Sequence, residues 1–193
     1  ASLVLVGRSA KALDRVVSDL GLRPGREAIP VPVDLSVPDA ADQIVSFIRA
    51  RIPHTNVLIN NAAIQGPIGP LWRNDWSAWL STLQVNLLSP VALCRAIIPG
   101  MIEGGTGGSI INISGGGATG PRANFTAYAT AKTGLIRFSE TLAEELRPHG
   151  VRVNSIAPGA MNTAMLAEVV DQGADVAGHK EYTEAVKVQQ VGG

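Results

Sequence analysis

The sequence predicts an α/β domain of doubly wound type, a parallel sheet with helices on both faces. Three observations carry this reading. Short apolar, β-branched runs alternate with helix-length segments along the chain. Alternation of this regularity requires crossover connections, and crossovers join parallel strands. The conspicuous polar and glycine clusters all fall at the carboxyl ends of strand candidates, where such sheets bind ligands. They are Gly7-Arg8-Ser9, Asp34, Asn60-Asn61-Ala62-Ala63, Ser114-Gly115-Gly116-Gly117 and Pro158-Gly159.

Each element has a local reason. Leu3-Val4-Leu5-Val6 is a continuous apolar run ending at Gly7, the pattern of a strand buried on both faces. Lys11 to Leu20 carries a helical stripe of Leu13, Val16, Val17 and Leu20, closed by Gly21. Ile29 to Val33 is a second strand, which Pro30 and Pro32 place toward a sheet edge. Asp39 to Arg51 is an amphipathic helix with Ile44, Val45, Phe47 and Ile48 on one side, bracketed by Pro38 and Pro53. Asn56 to Ile59 is a third strand. Trp76 to Met101 reads as one long helix, followed by a glycine-rich turn from Glu103 to Gly108. Ser109 to Ile113 is a fourth strand, Asn124 to Leu146 a helix ended by Pro148 and Gly150, and Val151 to Ile156 a fifth strand. Beyond Pro158 the pattern loosens into a polar, partly helical tail. With no internal repeat, linker or composition break, 1–193 reads as one domain, with 160–193 as a substrate-loop region within it.

Composition narrows the function. Sixteen basic and sixteen acidic side chains give a formal net charge of zero, which argues against nucleic-acid and membrane-surface partners. The charge-free stretch Trp76 to Cys94 contains Gln84, Asn86, Pro90 and several hydroxyls, so it reads as a buried helix and not a membrane span. Cys94 is the only cysteine, which excludes an internal disulfide and suits a reducing, cytoplasmic setting. His54, His149 and His179 lack ligand spacing, so no metal is expected. Ala1 leads straight into an apolar run without a basic start or cleavage site, so no signal peptide is expected.

Chemistry concentrates around Tyr128 and Lys132. Four residues apart on a helix, they share a face one turn apart. An ammonium beside a phenol favours the phenolate and lowers its pKa, as a tyrosine acid or base requires. Asn86 places a polar amide in the middle of the long uncharged helix. A glycine-rich strand end precedes the tyrosine by about a dozen residues, and Pro158-Gly159 and Thr163 follow the next strand.

In this combination the sequence resembles the short-chain dehydrogenase/reductase family from Leu3 to about Thr163. The resemblance implies a Rossmann-type fold, a nicotinamide cofactor and hydride transfer at a carbonyl or secondary alcohol. It implies that Tyr128 is the acid/base, that Lys132 tunes it and holds the nicotinamide ribose, and that Asn86 keeps a water in the proton relay. Asn60, Ala62 and Ala63 correspond to the loop beside the adenosine ribose, with Ala63 replacing the usual glycine. Asp34 matches the aspartate at the adenine amino group. Pro158, Gly159 and Thr163 match the loop that binds the carboxamide. NAD-specific relatives place an acid at the end of the first strand here, where this chain has Gly7 followed by Arg8. A guanidinium suits a 2′-phosphate, so NADP is expected, with NAD as the alternative.

Two departures stand out. The family's catalytic serine aligns with Gly115, and its neighbour is Ser114. A one-residue offset along a strand turns the side chain to the other face. Two readings stay open: Ser114 or a later hydroxyl such as Thr119 takes the role, or backbone N–H groups of Gly116 and Gly117 polarise the substrate oxygen. If neither holds, the protein is impaired or noncatalytic. The second departure is the absence of a glycine fingerprint between a first strand and first helix. Leu3 to Gly7 corresponds to the family's second strand, so the sequence is expected to be incomplete at both ends, lacking a central strand and a final one. That would leave two strand edges exposed.

The leading expectation is an NADP-preferring oxidoreductase acting on a small carbonyl or alcohol. The alternatives are a noncatalytic NADP-binding relative and, more remotely, a dehydratase or epimerase that retains its nicotinamide. Met165, Leu166, Val169 and Val170 form a stripe that suits either an apolar substrate or ordinary packing. Trp72, Trp76 and Trp79 are spaced for packing or a subunit surface, and Leu80, Leu83, Leu87 and Leu88 exceed what one sheet face needs. A homodimer or homotetramer is therefore expected.

Overall fold

The structure is a computed structural model that describes residues 2–191. Strand β1 (Leu3–Gly7) leads into helix α1 (Ala10–Asp19), whose first turn is capped by Ser9; its Oγ accepts from the Ala12 N–H at 3.2 Å. Strand β2 (Ala28–Pro32) pairs parallel with β1, from Leu3 opposite Ala28 to Gly7 opposite Pro32. Its two prolines are tolerated because β2 pairs on one side only, the edge position the sequence predicts. Helix α2 (Ala40–Arg49) then leads to strand β3 (Val57–Asn60).

The predicted long helix is divided. Helix α3 (Trp76–Leu83) starts at Asp75, whose carboxylate accepts from the Ala78 N–H at 2.7 Å. Gln84–Leu88 then widens into a π turn before helix α4 (Ser89–Glu103). Pro90 supplies the reason. It has no N–H to return to the Asn86 carbonyl, so the α-helical ladder cannot continue through this turn. By length and apolarity Trp76–Glu103 could cross a membrane. In the fold it is a core element, with Val85, Leu93, Cys94, Ile97 and Met101 buried.

Strand β4 (Gly108–Ile113) lies between β3 and strand β5 (Val151–Ile156), all parallel, and helix α5 (Thr126–Leu146) makes the crossover between β4 and β5. The tail is more ordered than the sequence suggests. Helix α6 (Ala164–Ala177), kinked at Gly173, and helix α7 (His179–Val191) close a small core of Phe125, Val169, Ala177 and Ala185. Leu166 and Val170 pack against that core, so the apolar stripe of the tail is spent on packing.

Helices cover both faces of the β1–β2 sheet. A Cβ on Gly7 would meet Leu13 of α1 at 3.4 Å, whereas Val6, pointing the other way, packs toward Ala41, Ile44 and Leu93 of α2 and α4. Leu58 of β3 joins that same cluster, and Ile110, Val151 and Val153 extend the layer under α4 and α5. Thus β1–β2 and β3–β5 are two sheets held together by one helix layer. Among the described residues β1 pairs only with β2 and β3 only with β4, so each has one edge without a strand partner. Val57 and Ile59 of β3 are more than half exposed.

A chain of buried amides crosses the second sheet. Asn60 Nδ2 donates to Asn112 Oδ1 at 2.8 Å, Asn112 Nδ2 to Ser139 Oγ at 2.8 Å, and Ser139 Oγ to the Leu135 carbonyl at 2.6 Å. Asn112→Ala leaves Asn60 and Ser139 each short of a partner. It is expected to cost about 2–3 kcal/mol in urea unfolding. A loss within experimental error would show that these dipoles are satisfied otherwise.

Candidate active site

Within each sheet the strands run parallel, and the sequence-predicted residues follow their carboxyl ends. Arg8 follows β1, Asp34 follows β2, Ala62 and Ala63 follow β3, Ser114 follows β4, and Pro158 and Gly159 follow β5. Arg8, Asp34, Ala62, Pro158, Gly159 and Thr163 are exposed and Ala63 is half-buried, so all of them are accessible. Arg8 and the Asp34 carboxylate are electrostatically coupled. Asp34 also accepts from the Ser36 N–H at 2.9 Å, and this bond first, with Arg8 behind it, holds its carboxyl below the usual range. Thr163 caps α6, its Oγ1 accepting from the Leu166 N–H at 3.3 Å.

Asn60 is the exception. Its side chain is buried and tied to Asn112, so only its backbone faces the loop. Asn86 is likewise committed. It is fully buried in the π turn, its Oδ1 accepts from the Ile64 N–H at 2.9 Å, and its Nδ2 donates to the Ile64 carbonyl at 2.8 Å. Both ends of the Asn86 side-chain amide thus pin the loop after β3, which leaves its backbone carbonyl, without an N–H from Pro90, as the group open to a water.

Tyr128 and Lys132 lie on the buried face of α5, as their spacing predicts. Lys132 is 1% exposed, its Nζ donates to the Ile113 carbonyl at 2.7 Å, and it stands 5.8 Å from the centre of the Tyr128 ring. One carbonyl accounts for one of three ammonium donors. Burial pushes the Lys132 pKa down to about 8. The phenol departs from expectation. Burial raises its pKa above the usual value, and the opposing influence comes from Arg122, not Lys132. Desolvation penalises the phenolate before any neighbour can favour it.

Gly115 explains the missing serine in space. A Cβ built there would lie 2.3 Å from the Tyr128 hydroxyl, so the phenol oxygen fills the volume a side chain would need. Ser114 does not occupy the same position. By strand alternation it shares a face with Ile110 and Asn112, its N–H continues the sheet to the Ile156 carbonyl at 2.8 Å, and its buried Oγ has no hydrogen-bond partner. The N–H groups of Gly116 and Gly117 donate no hydrogen bond among the described residues.

Several residues here are not marked out by motif spacing in the sequence. Asn112 interrupts an apolar strand, and a polar amide in that position is a readable signal. Arg122 and Glu181 carry none, because 59 positions separate them.

A doubly wound parallel domain with a tyrosine and lysine one helical turn apart at its carboxyl edge defines a Rossmann-type protein. The family model "short chain dehydrogenase" matches residues 1–174. The chain belongs to the short chain dehydrogenase family. A short chain dehydrogenase of Pseudocercospora fijiensis is 35% identical over 167 residues, covering 86% of this chain and 53% of its own. L-xylulose reductase of Cavia porcellus is 32% identical over 165 residues, covering 86% of this chain and 64% of its own. The chain therefore spans about half to two thirds of these relatives. A metagenomic short-chain oxidoreductase solved in complex with NADP is 36% identical, with TM-score 0.77 over 84% of this chain and 73% of that one.

Two measurements probe the site. Gly115→Ser must displace Tyr128, so it is expected to lower stability by about 1–3 kcal/mol in denaturant unfolding, and not simply to restore a donor. Lys132 has a folded pKa of about 8 against an ordinary 10.5. Between these values the unfolded chain binds more protons, so stability rises with pH. The wild-type advantage over Lys132→Met should therefore grow from pH 8 to 10.5; a flat difference would contradict a buried, destabilised ammonium.

Proposed function

We propose that the protein is an NADP-preferring oxidoreductase that reduces a small carbonyl compound or oxidises the matching secondary alcohol, with Tyr128 as the proton-transferring residue. The observation that carries this reading is the buried Tyr128 hydroxyl at the glycine turn with the buried Lys132 one helical turn away.

The residues fit a nicotinamide dinucleotide. Lys132 is buried with a single acceptor, which leaves ammonium donors free for ribose hydroxyls. Arg8 is exposed at the end of β1, where a guanidinium can take a 2′-phosphate bidentately. Asp34, the backbone of Asn60, and Ala62 and Ala63 would border the adenosine, and Pro158, Gly159 and Thr163 the carboxamide. NADP in the similar metagenomic enzyme supports the preference, with NAD as the alternative. When bound, the nicotinamide supplies or takes the hydride.

The protein's part is proton management. A phenol raised above its usual pKa stays protonated at neutral pH, which suits donation to a carbonyl oxygen. Lys132 binds ribose and replenishes charge behind the phenol. Asn86 fixes the loop after β3. At the substrate oxygen, the free N–H groups of Gly116 and Gly117 are the better second donors, and the buried Ser114 hydroxyl the lesser one. Exposed Trp76 and Leu80 of α3 and Leu88 of the π turn support a homodimer or homotetramer.

A second reading rests on Gly115: a nucleotide-binding relative without turnover. One experiment separates the two. With NADPH and a carbonyl panel, Tyr128→Phe is expected to lower turnover by about 10²–10⁴-fold while NADPH affinity stays within twofold, measured by fluorescence. Binding without turnover in the wild-type protein would favour the second reading, and activity surviving Tyr128→Phe would refute the first. Arg8→Ala should weaken NADPH binding about tenfold, about 1.4 kcal/mol, and leave NADH binding unchanged.

A further inference from the structure

Arg122 lies in the loop between β4 and α5. Its Nε donates to Glu181 Oε2 of α7 at 2.7 Å, and both side chains are largely buried. Its guanidinium carbon stacks 3.8 Å from the centre of the fully buried Phe125 ring and lies 5.7 Å from the centre of the Tyr128 ring. It also borders the glycine turn, 3.9 Å from where a Gly116 Cβ would sit, and its Cβ occupies the space beside Gly117. This is a cation fixed on three sides: by a carboxylate, by a ring face and by backbone.

We propose that Arg122 is a positioning residue which, anchored by Glu181, holds a permanent positive charge against Tyr128 and so makes helix α7 part of the phenol's electrostatic environment. The charged groups that face the phenol are Lys132 from α5, Arg122 from the preceding loop and, through Arg122, Glu181 from α7. Lys132 and Arg122 are equally near, but they differ in permanence. The Lys132 ammonium is desolvated and gives up its proton near pH 8, below the range where a buried phenol ionises. A guanidinium stays charged throughout. Arg122 is therefore the cation that remains when the phenolate forms. Glu181 has two effects of opposite kind: it fixes the guanidinium in place, and it offsets part of its charge.

The inference deepens the proposed role of Tyr128 but can be tested without turnover. Tyr128 and Tyr182 are the only tyrosines. In a Tyr182→Phe background, ultraviolet absorbance titration therefore reports Tyr128 alone. Arg122→Met is expected to raise the midpoint by on the order of 1 pH unit, and Arg122→Lys to restore most of it. Glu181→Gln keeps the guanidinium stacked on Phe125 and removes its counter-charge, so the midpoint should fall. Opposite shifts are the signature of charge. Shifts in the same direction, or no shift in either, would overturn the proposal, because a purely structural clamp has no reason to distinguish them. If the shifts are opposite and no carbonyl is reduced, the oxidoreductase reading fails while this one stands.

Discussion

The amide chain from Asn60 through Asn112 to Ser139 fixes one corner of the molecule, where β3, β4 and α5 meet. Buried dipoles in a low-dielectric interior are costly to leave unpaired. A one-residue slip of β4 would turn Asn112 to the other face and strand both partners. The network therefore specifies register more sharply than the surrounding isoleucines and valines can. Lys132 adds a second tie from α5 to the same strand through the Ile113 carbonyl, about two helical turns from Ser139. With α5 held twice against β4, its first turn can only lie over the glycine turn that follows the strand. That is why the Tyr128 hydroxyl reaches the vacancy at Gly115.

Much of this frame was legible in the sequence. The strands are runs of β-branched residues bounded by Gly and Pro, and their carboxyl ends carry the polar clusters, so element order and site edge followed from pattern alone. What was not legible has identifiable physical causes. The π turn arises from a missing donor at Pro90, which composition shows but periodicity hides. The order of the tail is hidden from the sequence because α6 and α7 bury little on their own; their core centres on Phe125, which precedes α6 by about forty residues. At the site, spacing put Tyr128 and Lys132 on one face, but spacing carries no information on burial. The expected lowering of the phenol pKa assumed a solvated pair, whereas desolvation acts first here. The side-chain amides of Asn60 and Asn86 pair inside the fold, with Asn112 and with Ile64, and no sequence pattern shows those partners.

The vacancy at Gly115 and the clamp at Arg122 are two sides of one arrangement. Without a side chain at 115 the phenol can settle deep against the strand end, and depth is what desolvates it. A deeply set phenol is a poor base unless some cation lowers the cost of its ionised form. Lys132 is buried by the same packing and loses its own charge as the pH rises, so it cannot meet that need throughout the titration. A guanidinium can, provided it is held in place, because a mobile arginine would turn to solvent and its field at the ring would be screened. Phe125 gives the guanidinium a face to stack on and Glu181 gives its Nε an acceptor. Both belong to the region around α6 and α7, so any movement of those helices acts on the phenol's charge balance as well as on access to it. Under the role proposed for Tyr128, the tail thus bears on the tyrosine through electrostatics.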